Sequence, residues 1–476
     1  VSAAAKADDS LVAPSDEFTP GYRAWMLFML MLMNALNLAD RQGLAAVAPT
    51  LKRDLHLSDT ELGVIQGLGF AIFYTLLGLP IARFAERSSR ARIIAVSIAI
   101  FSAFGALTSR AQSFTLLLLC RIGVGIGDAG AIGPPVSSLL GDHYPAGKRA
   151  SAITVVWLGA PIGALAGAAL GGWTAQHADW RTWFLGLAIP GFVAAALAIF
   201  TLREPRRGAF DEGGPVRGPA PSVKEVMRFL FGKPSMRHVL LGAAFSAIAL
   251  NGMGQFFARY FVAVFEIGPA QAGRLLGLLV VVAMSSGFVI GGFGVDRAVR
   301  RDRRWYVWAP SLSLLIAMPL FVIGLLQPSL GRAVAVLLPA HVALFIFYTP
   351  TLAIAQNMVD ASMRASSAFT VAVVFGLVGT GLGPTLVGII SDVAASRSFA
   401  PGGFAAAGFA LQCPGGAARP GADAALSHAC AAASAQGIRF AMVAVVFLLL
   451  WGSLHYFLAA RTLRTDLDAR YRRAKI

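Results

Sequence analysis

Asp40 and Arg41 are adjacent charges inside an apolar stretch that runs from about Tyr22 to Val47. Arg121 and Asp128 lie inside a second such stretch, at about 114–141. Both are long enough to cross a bilayer. A charged side chain at the centre of a membrane helix costs roughly 2.5–3.5 kcal/mol even on lenient insertion scales, and such residues mark ion or substrate pathways. Arginine keeps its proton in hydrocarbon and therefore demands acidic or acceptor partners. A carboxylate can instead take up a proton: burial favours its neutral form, a neighbouring arginine its charged form. Two acids and two bases at similar depth can neutralise each other. Protonating one acid loosens its contact with arginine and changes the preferred conformation.

The spacing sets these residues on stripes. Asn34, Asn37 and Arg41 follow one another at steps of three and four, with Asp40 about 100° round from Arg41. Arg121, Gly125 and Asp128 repeat the pattern at steps of four and three. At about 1.5 Å per residue, all four charges fall in the middle to outer half of the membrane. The expected proton-coupling residues are Asp40, Asp128, Arg41 and Arg121. Arg121 is also the candidate for an anionic headgroup, because a planar guanidinium binds phosphate bidentately. Asn37, Tyr74, Trp157, Asn251, Gln255 and Tyr348 are the further candidate substrate contacts. A largely apolar lining with one cationic end suits a lipid tail plus phosphate. The plainer alternative is a static ion-pair lock, although buried pairs often add little net stability.

The elements that must hold these residues are helices. The chain has 476 residues, is 57% hydrophobic and 13% charged, and has a mean hydropathy of +0.68. Soluble domains carry nearer 25% charged residues. Apolar runs recur at about 22–47, 60–84, 92–109, 114–141, 150–174, 182–202, 237–263, 271–296, 305–326, 332–358, 367–391 and 437–460. We number these spans 1 to 12; the expected class is an all-α membrane protein. With the N-terminus inside, 28 of the 40 Lys and Arg fall in inner segments and 9 in outer loops. The net charge of +16 thus reflects the positive-inside bias and not a nucleic-acid partner. Both termini are expected in the cytoplasm, with basic segments against acidic lipid headgroups.

Residues 1–21 lack the basic start and apolar core of a cleaved signal and are expected to form a cytoplasmic tail. Two six-helix bundles follow, at 22–202 and 237–460. The linker at 203–236 is Gly/Pro-rich and ends in a short amphipathic helix near Val223–Phe231. A long outer loop is expected at 392–435, and a basic tail at 461–476. Cys413 and Cys430, both in that loop, would face an oxidising compartment and are expected to pair, while Cys120 reads as a buried small hydrophobe. Neither a metal site nor a cofactor is expected, and no nucleotide loop or nucleophile triad suggests an enzyme.

The halves resemble one another at an offset near 210–215 residues. Ala85-Glu86-Arg87-Ser88-Ser89-Arg90 after span 2 matches Val295-Asp296-Arg297-Ala298-Val299-Arg300 after span 8. Arg149-Ala150-Ser151-Ala152 before span 5 matches Arg364-Ala365-Ser366-Ser367-Ala368 before span 11. Arg83, Glu86, Arg87, Arg90, Asp296, Arg297 and Arg300 are therefore expected to form a cytoplasmic gate. The same offset sets Gln255 and Phe256 opposite Asp40 and Arg41, which confines coupling to the first half. Arg259 in span 7 is expected to snorkel to the outer water. Spans 5 and 11 are rich in glycine, from Gly159 to Gly171 and from Gly376 to Gly388, which allows close packing or a sliding seam.

These residues resemble the major facilitator superfamily. The acid–Arg loops after spans 2 and 8 look like its gating motif, and Arg121-x-x-x-Gly125-x-Gly127 looks like the motif tied to proton coupling. Asp40-Arg41, Gly125-Ile126-Gly127-Asp128-Ala129 and Pro135…Asp142-His143-Tyr144…Arg149 are most similar to the spinster family. Glu86 stands where the gating acid is usually Asp, and Asp128 where the spinster pattern usually has Glu. The resemblance implies a bacterial, proton-coupled carrier of lysolipids and sphingolipid-like amphiphiles, monomeric in the inner membrane. It implies two bundles related by a pseudo-two-fold axis and working by alternating access. The organic-anion/proton symporter family shares much of the pattern and implies a small-anion substrate instead. A receptor or sensor without transport is the alternative of another class.

Overall fold

In the computed structural model, residues 18–85, 88–131, 134–144, 146–205, 223–359, 363–399 and 408–467 are described. Twelve long helices organise them. α1 runs Pro20–Asp54. It is followed by α2 (Asp59–Ala85), α3 (Arg90–Thr108), α4 (Phe114–His143), α5 (Ser151–His177) and α6 (Trp180–Thr201). The second half comprises α7 (Pro234–Phe265), α8 (Pro269–Val299), α9 (Trp305–Leu325), α10 (Leu330–Asn357), α11 (Phe369–Phe399) and α12 (Ala424–Ala459). α2 to α12 are each long and apolar enough to cross a membrane. α1 is longer still, but Asn34, Asn37, Asp40 and Arg41 dilute its apolar character. No strand occurs among the described residues.

Local sequence sets the ends. Thr19 caps α1 through its hydroxyl, ahead of Pro20 at the first helical position. Ser58 and Glu61 form a capping box at the start of α2. α2 breaks at Gly67, while α8 and α11 carry π-helical segments at Ile290–Gly294 and Val374–Leu382. In the linker the expected amphipathic helix is present at Val223–Gly232, with Val226 and Leu230 turned into the core of the second half. α11 continues to Phe399 and α12 begins at Ala424, so the outer loop expected at 392–435 is helical at both ends. Cys430 therefore lies in α12, bonded to Cys413.

Glycine lets the helices of each half approach closely. A Cβ added at Gly159, Gly163 or Gly167 of α5 would overlap the backbone of α1 at Met31, Ala35 and Ala39. In the second half, Gly379 and Gly383 of α11 fit against Ala247 and Ile248 of α7 in the same way. The two seams are symmetry-related, as the internal repeat requires.

The halves share one apolar core at the Asp54 end of α1. It joins Leu44, Val47, Leu51, Ile65 and Phe184 of the first half to Phe257, Phe261 and Val387 of the second. A separate core of residues between Met26 and Leu202 fills the rest of the first half. The molecule is thus sealed between its halves at the Asp54 end.

Candidate functional site

α1 and α4 are tied by two crossed ion pairs. Arg121 of α4 donates to both oxygens of Asp40, from Nη1 at 3.2 Å and from Nη2 at 2.8 Å. Arg41 of α1 donates from Nη2 to Oδ2 of Asp128 at 3.0 Å. Asn37 fills the other oxygen of Asp128 with its side-chain N–H. The crossing follows from geometry. Asp40 and Arg41 point about 100° apart on α1, whereas Arg121 and Asp128 lie two turns apart on α4. Long arginine side chains close the difference in height.

The two pairs differ in access. The side chains of Asp40, Arg121 and Asp128 are each 2% exposed, whereas that of Arg41 is 24% exposed. Arg41 lies 4.2 Å above the Phe70 ring and 5.7 Å from that of Tyr74. Phe70 and Tyr74 stack on one another in α2. Gly125 makes this arrangement possible, because a Cβ there would stand 2.8 Å from the Phe70 carbonyl oxygen. Gly127 likewise admits the backbone of α3 at Phe101. The glycines of the Arg121-x-x-x-Gly125-x-Gly127 run thus bring α2 and α3 onto α4, and with them the aromatic roof over Arg41.

From the second half, Tyr348 of α10 lies within electrostatic reach of Arg41 and packs on Phe288 and Phe375. Of the candidate substrate contacts, Asn37, Tyr74, Arg121 and Tyr348 therefore gather around the charged set. Asn251 is engaged between α7 and α11, donating to Ala247 and accepting from Thr380. Trp157 is 51% exposed and Gln255 is half-buried; among the described residues no hydrogen bond joins either to the four charges. Phe70 was legible as an aromatic of span 2, but its place under a cation was not.

A second charged cluster sits between the halves at the Asp54 end. Asp59 of α2 is buried and paired with Lys52 of α1 and with Arg259 of α7, the latter at 3.3 Å. Ser391 of α11 donates to Asp59, and Arg259 donates to Ser434 of α12. Asp392 caps the start of α2 across the interface, accepting from the backbone N–H of Asp59 at 2.9 Å and of Thr60 at 2.7 Å. Arg259 therefore does not snorkel to water as expected. It is 6% exposed, because Asp59 of the other half offers it a buried counter-charge. An arginine inside span 7 and an acid at the start of span 2 were the signals, but only the fold shows that they meet.

The expected gate residues lie at the opposite end. Glu86 and Arg87 fall outside the described residues. Arg83, Asp296, Arg297 and Arg300 are exposed, and none forms an ion pair among the described residues. Arg90 is buried within the first half, bonded to Glu204, Asp142 and Ser138. Here it braces α3 against α4 and the end of α6.

Residues 30–384 match the profile of the Major Facilitator Superfamily. The fold is similar to a crystal structure described as a bacterial homolog to human lysosomal transporter, spinster, in an inward-facing and unoccupied conformation. The TM-score is 0.84 at 29% identity, over 94% of this chain and 99% of that one. A hexuronate transporter of Bacillus subtilis is 25% identical, over 77% of this chain and 87% of its own. A sphingosine-1-phosphate transporter of Danio rerio is also 25% identical, over 76% and 75%.

Proposed function

The chain belongs to the major facilitator superfamily, and from that premise we propose that it is a proton-coupled secondary transporter of lysolipid or sphingolipid-like amphiphiles. The observation that carries this reading is the crossed pair set beneath an aromatic roof. Asp128 can exchange a proton with water that reaches the site beside the partly exposed Arg41, and a protonated Asp128 frees that guanidinium for an anionic headgroup, a role that the enclosed and fully paired Arg121 is less free to take. Phe70, Tyr74, Tyr348 and Phe375 supply the apolar surface that an acyl or sphingoid tail needs. The sealed Asp54 end, with Arg83, Asp296, Arg297 and Arg300 exposed at the other, supports an alternating-access cycle in which this conformation opens to the inside. The protein acts as a monomer in the bacterial inner membrane, with both termini in the cytoplasm.

The likeness to a hexuronate transporter supports a second reading, a small organic anion as substrate. The aromatic surroundings of Arg41 favour the amphiphile, since a sugar acid needs more hydrogen-bonding partners than they offer. The deciding experiment is uptake of labelled lysolipid into proteoliposomes under an imposed pH gradient. Wild type accumulates it, and both Asp40→Asn and Asp128→Asn lose the gradient dependence. Proton-driven accumulation that survives in both variants would sink the coupling assignment. Proton-driven uptake of a labelled short-chain carboxylate, uncompeted by lysolipid, would favour the second reading, and absence of uptake of either would leave the receptor class.

A further inference from the structure

Between the α8–α9 loop and the segment after α12 lies an open recess of about 340 Å³, lined by Val299, Arg300, Arg301, Asp302, Arg303 and Arg464. It shares no residue with the crossed pairs. Its one acid is already committed. Asp302 accepts from Arg464 Nη2 at 2.6 Å and Nε at 3.3 Å, and from the backbone N–H of Arg304 at 2.9 Å. The backbone donor first, and Arg464 after it, hold the Asp302 carboxyl below the usual carboxylate range. Arg300 and Arg301 are exposed and offer the recess two guanidinium groups that form no ion pair among the described residues.

Its position is fixed by the chain. The segment from Arg300 to Arg304 joins two membrane-crossing helices, so the recess stays at the membrane edge. Trp305 and Trp308 pair edge-on beside it, with ring centroids 5.9 Å apart, and the Arg304 guanidinium lies 5.8 Å from the Trp308 ring. Tryptophans of this kind settle at the headgroup level. On α8, toward the bilayer, Val289, Ile290 and Phe293 are exposed, Phe293 by 78%.

We propose that this recess binds the phosphate of an anionic phospholipid, with Arg300 and Arg301 as donors, the Asp302–Arg464 pair as its floor, and the acyl chains along the exposed face of α8. Guanidinium–phosphate hydrogen bonds are charge-assisted and short. Basic pockets at a membrane edge take such headgroups. A lipid is favoured over a soluble anion because the short loop keeps the arginines in the headgroup layer and apolar side chains adjoin them. The inference rests on the membrane position alone and is independent of the transported substrate.

The test uses the purified full chain, titrated with phosphatidylglycerol, phosphatidylcholine or inorganic phosphate, with bound lipid counted by native mass spectrometry. Phosphatidylglycerol is expected to bind about tenfold more tightly than phosphatidylcholine and to resist millimolar phosphate. Arg300→Gln with Arg301→Gln is expected to remove about that preference, and Arg301→Glu alone to weaken it. Arg110→Gln with Arg332→Gln, which removes two exposed charges at the opposite end, is expected to keep it. Undiminished preference in the Arg300/Arg301 variant would overturn the site. Displacement by phosphate would reassign it to a soluble anion, and an equal loss in the control variant would reduce it to bulk charge.

Discussion

A buried arginine has no neutral form to retreat to, so each carboxylate of the crossed set, besides the proton we propose it carries, must also answer an arginine's charge. Asp40 answers Arg121 with both oxygens, and both side chains are enclosed. Asp128 divides its oxygens between Arg41 and Asn37, and its arginine is a quarter exposed. The two acids should therefore fail differently. In Asp40→Asn, Arg121 keeps its charge without a counter-charge, and removing one partner of a buried pair costs about 3–5 kcal/mol. The expected outcome is a marked drop in the thermal unfolding midpoint in detergent, alongside lost coupling. Asp128→Asn retains acceptor capacity toward Arg41 beside a partly open site. It is expected to unfold close to wild type while losing its response to a pH gradient. Reversing the enclosed pair, Asp40→Arg with Arg121→Asp, should recover much of the midpoint lost in Asp40→Asn without restoring coupling. Equal midpoints for Asp40→Asn and Asp128→Asn would remove the distinction.

At the scale of helices, the glycines of α5 act through packing. Gly163 and Gly167 lie against the α1 backbone at Ala35, a little over one turn before Asp40 and Arg41, and at Ala39, next to Asp40. Gly163→Val forces the seam apart, and overpacking of this kind costs typically about 1–3 kcal/mol. Because α1 carries the charges, the expected result is a lower unfolding midpoint together with slower proton-driven uptake. A variant with wild-type uptake would show that the seam does not position the site. A second helix-scale device is the Cys413–Cys430 disulfide, which ties residues 17 apart at the Asp54 end. Closing a loop of this size contributes about 3 kcal/mol on the chain-entropy account, so Cys413→Ser with Cys430→Ser should lower the midpoint measurably. Spans and stripes were legible because their signal is local: apolar length, positive-inside bias, and polar residues at steps of three and four. The spacing set Asn37 and Arg41 on one face, and the structure turns that face to Asp128 of α4. Which arginine answers which acid was not legible, since that depends on the relative height of two helices. The break at Gly67 and the π-helical segment of α11 were hidden too, because nothing in an apolar run distinguishes a displaced hydrogen bond from a regular one.

Across the whole molecule, the buried cluster at the Asp54 end is the charged bond between the halves. Lys52 and Asp59 come from the first half, and Arg259, Ser391, Asp392 and Ser434 from the second. The stapled segment covers it, with Gly416 lying 3.4 Å from an Arg259 nitrogen and 3.5 Å from Lys52 Nζ, measured from an added Cβ. In the alternating-access cycle we propose, this end opens, and Arg259, Ser391 and Asp392 then need water in place of their partners Asp59 and Thr60 in the other half. The cluster therefore favours the sealed state by a differential interaction, which is the only means by which any contact can bias a two-state equilibrium. Asp59→Asn weakens the pair to Arg259 across the interface, and each 1.4 kcal/mol lost there moves the open-to-sealed ratio about tenfold. Spin labels at Arg53→Cys on α1 and Arg397→Cys on α11 flank the cluster, both at exposed positions. Their distance distribution in the wild-type background is expected to show one short population, and Asp59→Asn to add a longer one. The same longer population should grow in the Arg259→Gln background, because that change removes the opposite member of the pair. A distribution unchanged in both variants would mean that the apolar core at this end, and not the charges, holds the halves together. Unlike a change confined to the crossed pairs, the opening should not depend on Asp128, since the two clusters bias different parts of the cycle.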